Sequence, residues 1–233
     1  MGTMQLKAVL AELNSMRDPE AAAGMARYGI NAKQALGISI PRLQGLAKNI
    51  GKNHKLAGEL WSYGIHEARI LACMIDDPQQ VAEAQLEHWV KEFDSWDLCD
   101  QCCNRLFRKS EFAHQKALAW ACRPDEFVKR AGFVLMAVLA VHDKKASDRQ
   151  FDAFFRLIKK EAVDGRNFVK KAVNWALRQI GKRNISLNRK AIAVAEEIQQ
   201  FESKTARWVA GDALRELRSE NIQKRLSSGR TMP

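Results

Sequence analysis

The sequence predicts an all-α protein, and three observations support this. Apolar residues recur at helical spacing in segments of about 10 to 17 residues, which short polar breaks separate. Alternation with a period of two is almost absent, and only 13 glycines and 5 prolines occur among 233 residues. The segments also follow one another at a loose repeat. We therefore expect stacked helices and no sheet.

The expected helices cover most of the chain, and their limits follow from apolar periodicity and capping residues. We treat residues 1–233 as a single domain in which residues 220–233 form a frayed tail. The expected ranges are 3–16, 18–27, 40–50, 54–63, 66–75, 79–92, 95–108, 111–121, 125–141, 148–162, 165–182, 187–201 and 204–218.

The repeat begins at residue 66, from where the helices come in pairs. The second helix of each pair starts near residues 66, 95, 125, 166 and 204. Intervals of about 30 to 40 residues with two helices per unit predict an α-solenoid of HEAT-like type, built from stacked antiparallel helix pairs. Several second helices carry an early cation, so we expect a concave basic face; these cations are Arg69, Arg130, Lys171 and Arg207. An irregular helical bundle is the alternative, because the units share little sequence.

The composition indicates a polyanionic partner. Lys and Arg number 38 against 27 Asp and Glu, which gives a formal charge of +11. Such an excess favours nucleic acid over a neutral metabolite. The alternative is an ordinary basic protein with a solvated surface. Sequence motifs for nucleotide binding, zinc proteases and serine hydrolases are missing, which argues against those classes.

The cysteines and the apolar runs predict a cytoplasmic protein with reduced thiols and no membrane span. The odd number and the clustering of the five cysteines argue against a disulfide framework. No signal peptide precedes the first helix, and the longest apolar run, residues 131–141, is well short of the ~20 residues needed to span a bilayer. Cys99 and Cys102 have the spacing of a zinc half-site. No second pair completes it, so we expect no metal.

The predicted helix 95–108 has an apolar face that we expect in the core and a second face that carries candidate site residues. Leu98, Cys99 and Cys102 fall on one side, at 100° per residue. Trp96 and Asp100 are four residues apart and share another stripe. Since free cysteines are usually small buried hydrophobes, the indole and the acid are the candidate site.

The segment 167–184 has a basic face with one indole. Lys171, Trp175, Arg178 and Lys182 lie on one side, opposite an apolar stripe. Cations beside an exposed aromatic ring are typical of a nucleic-acid surface. Alternatively, the next repeat buries Trp175.

Arg130 lies one turn inside a helix that then becomes wholly apolar. An arginine near a positive helix N-terminus needs a carboxylate or a phosphate. A structural ion pair with Asp100 or Asp97 is as good an explanation as a functional role.

The segments WDLCD, FVKRAGFV and FVKKAVNWALR, in this order, resemble the AlkD family of DNA alkylation repair glycosylases. The resemblance covers roughly residues 5–220. It implies a HEAT-like fold and excision of cationic N3- or N7-alkylated purines from double-stranded DNA, without metal or cofactor. The sequence leaves the oligomeric state open, and a monomer is the simpler expectation for a solenoid that acts on a duplex.

Matched position by position, the resemblance implies four catalytic residues. Asp100 supplies the carboxylate that stabilises the oxocarbenium ion, Trp96 and Trp175 supply indoles, and Arg130 holds a phosphate or orients Asp100. The residues expected to bind the DNA backbone are Lys171, Arg178, Lys182, Arg183 and Asp97. Two alternatives remain, a HEAT-repeat module that binds nucleic acid without catalysis and a protein scaffold.

Overall fold

The computed structural model describes residues 5–228, and within this range the chain forms fourteen α-helices, four short 3-10 helices and no strand. The α-helices are α1 (Leu6–Ser15), α2 (Pro19–Met25), α3 (Ile40–Ile50), α4 (His54–Tyr63), α5 (His66–Ile75), α6 (Glu83–Lys91), α7 (Trp96–Arg105), α8 (Ala113–Ala121), α9 (Glu126–His142), α10 (Asp152–Glu161), α11 (Asn167–Gly181), α12 (Ile185–Gln199), α13 (Lys204–Leu217) and α14 (Glu220–Ser227).

The helices group into two compact units, Met1–Glu111 and Phe112–Pro233. In the first unit, α4 and α5 form an antiparallel pair. Only two residues connect them, and Gly64 ends α4 in the left-handed conformation that favours glycine (φ 86°). The Asn53 amide at the start of α4 donates to the Ile75 carbonyl at the end of α5 (2.7 Å). Helix α5 also packs against α3 and α7.

The second unit contains three antiparallel pairs, α8 with α9, α10 with α11, and α12 with α13. A polar contact closes each pair by joining the start of one helix to the end of the other. These contacts are His114 with Asp143 (2.9 Å), Asn184 with Asp148 (2.8 Å) and Asn188 with the Leu217 carbonyl (3.4 Å).

Successive second helices of this unit run parallel to one another. Arg130 at the start of α9 donates to the Phe168 carbonyl at the start of α11 (2.7 Å). Asn174 in α11 donates to the Val209 carbonyl in α13 (3.1 Å). Repeated antiparallel pairs with parallel second helices are the arrangement of HEAT-like repeats, so the predicted all-α HEAT-like class is confirmed.

The predicted helices agree with those observed, apart from small shifts at their ends. The apolar stripe expected on residues 167–184 is buried throughout, from Val169 to Ile180. The prediction of a frayed tail over 220–233 is wrong for its first part. Helix α14 buries Ile222 and Leu226 there. Residues 229–233 lie outside the described residues, as do 3 and 4 of the first predicted helix.

The expectation of reduced thiols is wrong for one pair of cysteines. Cys73 in α5 and Cys102 in α7 form a disulfide, with 5.2 Å between their Cα atoms. The pairing depends on the packing of α5 against α7, which spacing along the chain does not reveal. The other three cysteines are outside this disulfide; Cys99 and Cys103 are buried, and Cys122 is exposed. Within residues 5–228, no helix has the length and apolar character required to cross a membrane.

The close approach of α8 and α9 depends on Gly132. A Cβ atom there would lie 2.3 Å from the Ala121 amide nitrogen and 2.8 Å from its Cα. We expect Gly132→Ala to lower the free energy of unfolding by about 2 kcal/mol, because backbone must move to admit the methyl group. Urea denaturation measures this change. Gly58→Ala, in α4 with open space around the added atom, should raise stability by about 0.5–1 kcal/mol. Equal effects of the two substitutions would contradict the assignment.

The disulfide predicts a particular thiol count. Protein unfolded without reductant should present three thiols to Ellman's reagent, and reduced protein should present five. In the folded protein Cys122 should react first, since it alone of the three thiols outside the disulfide is exposed. Because the disulfide links residues 29 positions apart, reduction should cost roughly 3 kcal/mol of stability. Five reactive thiols in unreduced protein would contradict the pairing.

Candidate functional site

Helix α7 begins with Trp96, whose ring is half-buried. Its indole Nε1 donates to the backbone carbonyl of Tyr28 (2.9 Å). Tyr28 belongs to a 3-10 turn that Gly29 ends in the left-handed conformation. This hydrogen bond fixes the Nε1 edge of the indole, so the orientation of the ring depends on the segment around residue 28.

Asp100 follows one turn after Trp96 and is also half-buried. The core side of the same helix holds Leu98, Cys99 and Cys102, which are fully buried. The division predicted for this helix is therefore observed, with Trp96 and Asp100 on a stripe that remains partly open to solvent.

Asp97 lies beside this stripe but has a different environment. Its Oδ2 is 2.8 Å from Nε2 of His66, which is only 4% exposed at the start of α5. Burial opposes the charge on Asp97, but the hydrogen bond and the charge of His66 outweigh it and hold the pKa of Asp97 below its usual value. Likewise, burial works against a charged His66, yet Asp97 raises the pKa of His66 above 6.5. The two groups form a buried ion pair that joins α5 to α7.

Sequence reasoning missed Glu67. Its buried carboxylate accepts hydrogen bonds from the backbone amides of Leu36 (2.7 Å), Gly37 (2.7 Å) and Ile38 (3.2 Å). These bonds anchor the segment that leads from the Tyr28 turn into α3. Only the unusual placement of an acid between buried positions of α5 could have indicated this role.

In the second unit, Arg130 is 6% exposed, and the Phe168 carbonyl accepts one of its N–H groups. The neighbouring Lys129 makes an ion pair with Glu161 and lies 3.5 Å from Asp164. Both cations therefore contribute to the packing of α9 against the region before and at the start of α11. Arg130 remains a predicted site residue with a structural contact of its own.

The basic face of α11 divides into two parts. Lys171 is exposed and Trp175 is half-buried. Farther along, Glu216 of α13 forms ion pairs with Arg178 (2.8 Å) and Lys182 (2.7 Å).

Arg183 also has protein partners, since it donates to the carbonyls of Ala140 and Ala146 (2.9 Å each). Three of the four cations predicted to bind DNA on or beside this helix are therefore held by protein acceptors, and the role of all four in DNA binding stays a prediction. In the range 5–228 no group of three His, Cys, Asp or Glu side chains converges on a metal-sized space.

The fold is that of a HEAT-like repeat protein, and each of its two units presents a partly exposed tryptophan, Trp96 in the first and Trp175 in the second. Over residues 9–217 the chain matches the model of the DNA alkylation repair enzyme family. It belongs to that family, and DNA repair is the role that membership assigns. No curated protein sequence gives a significant match.

The fold is shared by a solved structure. That structure is described as a new family of proteins related to the HEAT-like repeat DNA glycosylases with affinity for branched DNA structures. It is 23% identical, covers 98% of this chain and 96% of its own, and has a TM-score of 0.78. An engineered protein (16% identity, 91% and 93% covered, TM-score 0.44) and a designed armadillo repeat protein in complex with the peptide (KR)4 (14%, 80% and 89%, 0.36) are more distant.

The buried pair predicts a pH-dependent stability. His66→Gln should lower the free energy of unfolding by about 3 kcal/mol near pH 6, because it leaves Asp97 without its cationic partner. A raised His66 pKa means that the pair stabilises fully below pH 6.5 and loses its contribution as the pH rises through the folded-state pKa. The difference between wild type and variant should therefore shrink toward pH 9. It should also shrink below the ordinary Asp value of 3.8, because the pKa of Asp97 is lowered.

Urea denaturation at a series of pH values measures this difference. His88→Gln removes a solvent-exposed histidine 3.7 Å from Glu92 and should give a difference near zero throughout. A His66→Gln difference that stays constant from pH 5 to 9 would contradict an ionised pair.

Proposed function

We propose that this protein is a DNA glycosylase that hydrolyses the N-glycosidic bond of cationic N3- or N7-alkylated purines in double-stranded DNA. The observation that carries the proposal is the position of Asp100, which shares the partly open stripe of α7 with Trp96. The neighbouring acid Asp97 forms a structural ion pair with His66. Membership of the DNA alkylation repair enzyme family supports the choice of substrate class.

The chemistry suits a single carboxylate. An alkylated purine already carries a positive charge, so the electron pair of the breaking C1′–N bond neutralises the base, which leaves without protonation. Positive charge then develops on the deoxyribose as an oxocarbenium ion. The Asp100 carboxylate stabilises this charge, water adds its oxygen to C1′, and the released proton passes to Asp100 or to solvent. The products are the free base and an abasic site.

The indoles have a supporting role in this proposal. The ring of Trp96, held at its Nε1 edge by Tyr28, presents its π-face to the deoxyribose, where it also favours a developing cation. The roles of Trp175 as a second such ring and of Arg130 as a phosphate ligand rest on the family resemblance.

Duplex binding in this proposal depends on Lys171 more than on the other cations of α11, because Glu216 already neutralises part of the charge of Arg178 and Lys182. Arg183 and these two cations would act through the long-range field. We place the reaction in the cytoplasm and assign it to a monomer.

Binding of DNA without excision is the second candidate. The structure with affinity for branched DNA shares the fold over nearly the whole chain. A protein that only binds DNA requires the basic surface but does not require a carboxylate at a fixed position.

The test is single-turnover release of 7-methylguanine from methylated double-stranded DNA without added metal. We expect Asp100→Asn to lower the rate about 100-fold or more while DNA binding is kept, because the transition-state charge loses its fixed partner. Asp94→Asn removes a nearby exposed carboxylate that bonds to Asn31 and should leave the rate within about twofold, as is usual for surface changes. Salt-sensitive binding with no release by the wild type would overturn the proposed activity.

A further inference from the structure

The N-terminal halves of α11 and α13 form a second surface in the second unit. The two helices lie side by side and parallel, as the Asn174–Val209 hydrogen bond shows. At their starts, the Lys170 ammonium lies 5.4 Å from the centre of the Trp208 ring. We call this surface the α11–α13 patch, and its members are Lys170, Lys171, Lys204, Arg207 and Trp208.

Trp208 does not lie on the buried face of α13. That face consists of small and aliphatic residues, from Ala206 and Val209 to Leu217, which are all buried. Trp208 instead remains 43% exposed. An exposed indole beside several cations has the composition of a nucleic-acid-binding surface, in which cations meet phosphates and the ring stacks on a base.

The cations of the patch differ from those farther along the same helices. At the C-terminal end, Asp212 and Glu216 compensate Arg178 and Lys182. Within the described part of the chain, Lys171 and Lys204 have no ion pair of this kind.

Acids compensate the positive charge of the other patch cations no better. Among residues 5–228, the acceptor of the Arg207 guanidinium is the Phe201 carbonyl, at a long 3.4 Å. Neither α11 nor α13 has an acid in its first turn. Glu202, just before α13, is the acid nearest to Lys204 in the sequence. The patch therefore keeps most of its positive charge.

We propose that the α11–α13 patch binds an unpaired strand of DNA. Trp208 stacks on a base, and the four cations face the phosphates on either side. The Lys170 ammonium over the ring is an exposed cation–π contact that a base can displace at small cost. Bases inside a duplex are already stacked and offer no face to an indole, so the exposed ring favours an unpaired strand over a blunt duplex. An acidic peptide would match the charge but not the ring.

The patch adjoins the residues already proposed to hold DNA in this unit. Lys171 precedes Trp175 by one helical turn, so the two side chains share a stripe of α11. This inference rests on the proposed function for the identity of the polyanion. It adds a preference for substrates in which a strand is unpaired beside the duplex.

Fluorescence anisotropy of labelled DNA tests the proposal with the full chain. Two probes share one duplex sequence, and one of them carries a single-stranded extension of about ten nucleotides, within the range of ordinary single-strand site sizes. Wild type should bind the extended probe more tightly. Trp208→Ala should remove at least about fivefold of that gain, and Trp208→Phe should restore part of it. Arg207→Ala should reduce the salt slope for the extended probe by about 0.7.

Two variants outside the patch serve as controls. Tyr63→Ala removes an exposed aromatic ring at the end of α4. Lys160→Ala removes an exposed cation from α10. Both should keep the gain from the extension.

Three results would overturn the inference. Trp208→Ala could retain the full gain, it could weaken both probes equally, or a polyglutamate peptide could displace the extended probe as well as unlabelled single strand does. Excision by the wild type is measured separately. Excision without a gain from the extension refutes the patch alone, and a Trp208-dependent gain without excision refutes only the glycosylase.

Discussion

The structure depends on polar side chains that join one helix pair to the next in regions that exclude water. His66 with Asp97 fixes α7 against α5, while Arg130 with the Phe168 carbonyl fixes α9 against α11. Small aliphatic stripes alone would allow neighbouring helices to slide, because apolar contact is not directional. A buried donor or acceptor that loses its partner is costly, so each such contact selects one register. The position of Trp96 and Asp100 on α7 follows from that selection.

The formal charge of +11 overstates the positive charge that the protein surface has available to bind DNA. Lys129, Arg178 and Lys182 have carboxylate partners, and Arg183 is held by two backbone carbonyls. These cations contribute mainly to the cohesion of the repeats. Such a division is expected where the same helices must both pack against their neighbours and carry a ligand surface, because a desolvated cation needs an acceptor whether or not ligand is present.

The sequence was sufficient to predict properties that depend on local periodicity. Apolar spacing placed the helices and the buried stripe from Val169 to Ile180, and it separated Trp96 and Asp100 from the cysteines. Features that join residues about 30 positions apart were missed or wrongly predicted. The Cys73–Cys102 disulfide, the Glu67 contacts with residues 36–38 and the compensation of Arg178 by Glu216 all arise from packing between helices. Helix α14 was not predicted because its few apolar residues, Ile222 and Leu226, lie in a strongly polar segment.

The contact between the Trp96 indole and the Tyr28 carbonyl has an evolutionary consequence. The acceptor is a backbone atom, so any residue at position 28 that keeps the chain path supplies the same oxygen. Natural variation around this turn can therefore proceed without disturbing the ring, provided that Gly29 preserves its left-handed conformation (φ 73°). Homologues are expected to differ widely in side chains here and yet hold the indole alike. A comparison of this region by sequence identity alone would underestimate how much of its geometry they share.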